Sequence, residues 1–271
     1  MYKSLLLFFS LGFMTLTAFA ATPPDSEVLD QARRLQMEFR QGNLEVAKPL
    51  VKMLEEAVTR SPNNAQLWEM LGHALMSLQG SMYAGPPDMA KLLKVGERAR
   101  DAYARSLAIR PNDRLTRSSH GMATMIASLL KGDGPGMVAG VDEMNAVVRE
   151  SPNYKGARLT RAFTIIHLPP GMRDNNAVIE DLRFLLDIAP GGRPEDVIHV
   201  LLGDVLAETG DLKGARNEYT QVSGASAFAG EQVKLRLADL EKGAIPPDAF
   251  AKVRAVTGSG CVMCHAPGSD N

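Results

Sequence analysis

The chain has 271 residues, 45% of them hydrophobic and only 6% aromatic, and a formal net charge of −1. Setting aside the first twenty residues removes one lysine and leaves 29 basic against 31 acidic side chains, a charge of −2 with no basic run to hold phosphates, so nucleic acid is excluded as the expected partner. Two cysteines three positions apart are too few and too close for a disulfide framework of the kind that staples small secreted domains.

The N-terminus comes first in chain order. Lys3 gives a positive start, Leu5 to Leu16 is mostly apolar, and Ala18-Phe19-Ala20 has the small residues of a cleavage site. Residues 1–20 are therefore expected to be a signal peptide, with the mature chain beginning at Ala21 and exported to the periplasm. The apolar stretch is shorter than the roughly 20 residues that span a bilayer, and no second one follows, so no membrane span is expected in the mature chain.

Residues 21–242 then read as helical pairs. The stretch Trp68-Glu-Met-Leu71-Gly72-His-Ala-Leu75 puts Trp68, Leu71 and Leu75 on one helical face, with Gly72 leaving room for a partner helix. Tyr103-Ala-Arg-Ser-Leu107-Ala-Ile109-Arg-Pro111-Asn112 ends a second helix at a proline, and similar stops fall at Pro62, Pro152 and Pro190. A last unit shows Leu202-Gly203, Leu206, Gly210-Asp211, Ala215 and Tyr219, with Gly210 expected to close its first helix in the left-handed conformation. A first unit runs from Gln31 to Pro62, with Gly42-Asn43 at its turn and Ala47 after it. A capping helix is expected from about Gly230 to Glu241.

Over roughly residues 28–241 these features resemble tetratricopeptide (TPR) repeats. The resemblance implies an all-α, TPR-like solenoid of about five helical pairs, a scaffold that binds a protein or peptide in its groove, and no particular reaction. The proline stops are 49, 41 and 38 residues apart, longer than the usual period of about 34. The extra length falls in Gly80-Ser-Met-Tyr83-Ala-Gly85-Pro86-Pro87-Asp-Met89 and Leu168-Pro169-Pro170-Gly171-Met172, both expected between paired helices on one edge. They serve either as plain turns or as binding loops.

The chemistry lies in the tail, residues 243–271. After Pro246-Pro247, Phe250, Val253 and Val256 share about one helical face, Gly258-Ser-Gly260 interrupts, and Cys261-Val-Met-Cys264-His265 follows. Two thiols with this spacing can each add to a haem vinyl group while the adjacent imidazole reaches the iron, and the motif resembles the attachment signature of c-type cytochromes. That resemblance implies one covalent haem c on Cys261 and Cys264, with His265 as metal ligand, and a role in electron transfer or redox sensing with a redox partner. A local disulfide, a thiolate and imidazole metal site, and a chance match stay open as other readings of the same residues. A function of a different class is a non-enzymatic assembly factor or chaperone similar to the TPR proteins of cytochrome c maturation. No catalytic constellation is visible, and an enzyme is not expected. Distal ligand candidates are His73, His120, His167, His199, Met89 and Met172, with His199 expected to pack in the core.

Overall fold

The computed structural model describes residues 24–243, apart from 83–85, 167, 169–170, 189–192 and 226. All regular structure among these residues is helical, in five antiparallel pairs and a final helix. The pairs are α1 (Asp25–Arg40) with α2 (Ala47–Arg60), α3 (Ala65–Ser81) with α4 (Met89–Ile109), α5 (Arg114–Lys131) with α6 (Gly134–Glu150), α7 (Lys155–Ile165) with α8 (Asn175–Asp187), and α9 (Arg193–Glu208) with α10 (Leu212–Gln221). A 3₁₀ turn, Leu44–Val46, leads into α2, and α11 (Ala227–Glu241) closes the array. This is the TPR-like solenoid expected from the sequence. The first helix starts at Asp25 rather than Gln31 because Pro24 presets the entry and its carbonyl accepts the amides of Glu27 and Val28, with Asp25 and Glu27 in the positive first turn.

One register organises every pair. In the second helix, the residue eight positions before the proline stop is Leu54, Tyr103, Met144 or Leu182, and Tyr219 holds the same place in the fifth pair. All five are fully buried. The first helix presents a small residue at the matching level: Ala32, Gly72, Gly121, Ala162 or Gly203. Glycine stands where the opposing residue is Tyr or Met, and alanine where it is Leu. A Cβ on Gly72 would lie 2.5 Å from the Tyr103 ring, and one on Gly203 would lie 2.4 Å from the Tyr219 ring. Close packing leaves no slack for it, so the size of one partner sets the size of the other.

Helix ends are chemically marked. Asp88, Asp133, Asp174 and Asp211 cap α4, α6, α8 and α10, each accepting the amide three residues on. Gly210 has φ +90° and hands α9 over to α10, as its place in the sequence requires. Each substantial helix contact joins elements adjacent or next-adjacent in chain order. The core accordingly runs along the stack as two large clusters, one from Val28 to Ala123 and one from Met125 to Leu240, which meet on α5, with a small third of Val147, Val148 and Ala157 between α6 and α7. Burying a Leu such as Leu54 or Leu182 in them contributes about 1.5–3 kcal/mol.

Candidate functional site

Cys261, Cys264, His265 and His167 lie outside the described residues, as do residues 1–20, so the geometry concerns the body that bears the motif. Among the described residues no group of three or more His, Cys, Asp or Glu side chains is placed to hold a metal ion. No described helix is long and apolar enough to cross a membrane.

The three described histidines are tied into the body through Nδ1. His73 Nδ1 shares a 2.9 Å hydrogen bond with the Tyr103 hydroxyl, its ring packs edge-on against that phenol, and Nε2 lies 3.8 Å from Glu69. Glu69 also accepts from Arg110 at 2.6 Å, so one network joins α3 to the end of α4. His120 Nδ1 is 2.7 Å from Glu143, and His199 Nδ1 is 2.8 Å from Glu218. His199 is largely but not wholly buried, so the core placement expected for it is nearly met. A histidine whose Nδ1 is held by a carboxylate presents Nε2 in a fixed direction, the arrangement seen in metal-binding imidazoles.

These contacts follow a rule that sequence reading missed. The residue just before the large buried one of the second helix is acidic in the last three pairs: Glu143, Asp181 and Glu218. Each pairs with a base on its own first helix, one or four residues before the small residue there: His120, then Arg158 and Arg161, then His199. In the first two pairs the acidic place is taken by Met53 and Ala102. The fourth clasp is the most elaborate, with buried Asp181 receiving Arg158 at 2.7 Å and Arg161 at 2.7 and 2.8 Å, and Asn145 accepting from Arg161 at 3.0 Å. The signal was legible as an acid immediately before the Met, Leu or Tyr.

Pair five holds a second buried polar group. Tyr219 donates to Asp204 at 2.7 Å, and Arg236 of α11 reaches the same carboxylate at 2.5 and 2.7 Å. Burial pushes Asp204 above the ordinary carboxylate range, while Arg236 and Tyr219 pull it back. Burial, reinforced by the Asp204 charge, pushes the Tyr219 phenol well up, so it stays a donor. The pair fastens the last helix to the stack.

Gly80 and Ser81 end α3 and Met89 opens α4, while residues 82–88 and 168–172 fall between paired helices, at α3 to α4 and α7 to α8. Met89 and Met172 are 53% and 50% exposed there, which makes both sulfurs reachable, whereas Met125 and Met144 are fully buried. Tyr83 and Gly85 lie outside the described residues. On the opposite edge an open cleft of about 690 Å³ is lined by Asp25, Arg60, Pro62, Asn63, Ile109 and Arg110 among others. Asp25 is occupied there, accepting from Ser61 at 3.0 Å and Asn64 at 2.9 Å.

No family model and no curated protein matches the chain. Among solved structures it is similar to MamA, residues 41 to the end, from Desulfovibrio magneticus RS-1, at 19% identity and a TM-score of 0.46, covering 74% of this chain and 96% of that one.

Proposed function

We propose that this chain is an exported protein-binding scaffold that carries one covalent haem c on its tail and serves electron transfer or redox sensing, rather than catalysis. The observation behind the binding half is the stack of five helical pairs, since stacked pairs create an extended surface that neighbouring units shape together. The donor set of the tail supports the other half: Cys261 and Cys264 would take the vinyl groups and His265 would ligate the iron. Haem, when bound, supplies a one-electron iron couple. Thioether formation needs both thiols reduced, so in an exported chain it would compete with a disulfide between Cys261 and Cys264.

Side chains of the body that could complete the coordination of such a group are Met89 and Met172, both half exposed, and His120, whose Nδ1 is held by Glu143. A denaturing haem stain, on protein exported in cells that attach haem to cytochromes, tests the proposal. Colour that survives denaturation and disappears in the Cys261→Ser, Cys264→Ser double variant is the expected result. A colourless wild-type protein with an intact mature chain beginning at Ala21 refutes the haem assignment and favours the assembly-factor reading. Material beginning at Met1 refutes the cleavage assignment instead.

A further inference from the structure

In the second to fifth pairs the first helix is covered on one side by the preceding pair and on the other by its own second helix. Among the described residues, the helix α11 has only the first of these. Ala229, Val233, Arg236 and Leu240 are buried against α9 and α10, whereas Glu231, Lys234, Leu235, Ala238 and Glu241 face outward. Leu235 is 51% exposed in the middle of that face. A capping helix needs a polar outer side, and a leucine beside an alanine there breaks that pattern.

The chain that follows α11 repeats the sequence that starts a second helix elsewhere. Gly243 has φ +72°, the left-handed turn found at Gly42, Gly132 and Gly210 after the first helices α1, α5 and α9. Pro246-Pro247-Asp248 then duplicates Pro86-Pro87-Asp88, where Asp88 caps α4. An aspartate opens four of the five second helices in the same way. Beyond Asp248, Phe250, Val253 and Val256 recur at helical spacing, and Lys252 and Arg254 stand among them. On α11 the outward leucine and alanine lie among Glu231, Lys234 and Glu241, two acids and one base, so the apolar stripe is complementary and the charges are so on balance.

We propose that the outer face of α11 is the seat of residues 248–257 of this same chain, which complete a sixth helical pair. Leu235 and Ala238 meet Phe250 and Val253, Asp248 caps as Asp88 does, and the connection of residues 242–247 is of the length that joins antiparallel helices. Cys261 then follows the last helix of the stack by only four residues, so the tail motif is anchored at the end of the array rather than carried on a long tether. The inference does not depend on haem attachment.

Hydrogen exchange read by mass spectrometry tests it, on the full chain carrying Cys261→Ser and Cys264→Ser so that haem plays no part. The amides of residues 252–257, the first that a helix capped at Asp248 would bond internally, should exchange at least roughly tenfold more slowly than in the isolated peptide. Leu235→Asp and Phe250→Asp should each return them to the peptide rate while leaving α9 and α10 protected. Asp248→Ala should speed their exchange by about fivefold. Peptide-like exchange in the parent protein overturns the proposal. So does protection that survives Leu235→Asp, which would mean the segment orders elsewhere, and so does protection that appears only as protein concentration rises, which would mean that a second copy supplies the cover.

Discussion

At the scale of single residues, charges divide by whether anything hides them from water. Arg117 and Glu150 pair across α5 and α6 near the surface. The hydrogen bond from Arg117 lowers the Glu150 carboxyl below its ordinary value of 4.5. Because the folded value is the lower one, the pair's contribution is complete above about 4.5 and is lost as the pH falls through the folded value. Glu150→Gln should therefore be slightly less stable at neutral pH yet lose less on acidification, a difference visible in urea midpoints measured across that range. Asp204 behaves otherwise, since it is fully buried against Arg236. Arg236→Ala would strand that charge and should cost about 3–5 kcal/mol, while Asp204→Leu with Arg236→Met, combined with Tyr219→Phe so that no buried hydroxyl loses its acceptor, should come close to neutral. Thermal or denaturant unfolding of both variants checks it, and similar losses in the two would mean that the polar group itself, not its pairing, holds α11. Neither effect was legible beforehand, because sequence alone does not say which aspartate lies under which arginine.

At the scale of the helix, the pairing of a small residue with a large one is the rule to test. Gly72→Ala drives a methyl group into the Tyr103 ring and should destabilise by about 1–3 kcal/mol. Adding Tyr103→Leu copies the Ala and Leu partnership of the first and fourth pairs, so the double variant should be less destabilised than the two single losses added together. Additive losses in a double-mutant cycle would show that the register is coincidental. The same contacts explain what was readable in advance. Trp68, Leu71, Gly72, the proline stops and Gly210 announced helix faces, stops and turns, because these are backbone and packing demands met within one pair. The acidic clasps at Glu143, Asp181 and Glu218 were missed because charged residues on a helix usually face water, so an acid just before the large buried residue gains its meaning only beside the base at its height on the neighbouring helix. For the candidate site, the tail motif was legible as chemistry from Cys261, Cys264 and His265, but the choice among distal ligands was not. That choice depends on exposure, which separates Met172 from Met144 and which a residue's identity does not carry.

At the scale of the whole molecule, the core among the described residues is two large clusters that meet on α5, and a small third, rather than one centre. Loss of a buried side chain in one should therefore be felt unequally. Leu201→Ala, in the second cluster, should raise hydrogen exchange throughout α9 to α11 while α1 to α4 keep most of their protection, at a cost of about 2–5 kcal/mol to the affected part. A uniform rise would show that the stack unfolds as a single unit. The restriction of substantial contacts to next-door and next-but-one helices also sets an order of assembly. As the chain emerges from N-terminus to C-terminus, each pair finds its packing surface already built by the pair before it, and none waits for a distant strand or helix to arrive. Residues 261–265 follow the scaffold in the chain. Under the proposed haem attachment, the two thiols would therefore be presented only after nearly all of the scaffold has had the chance to close, which makes the order of synthesis itself a safeguard against their premature reaction.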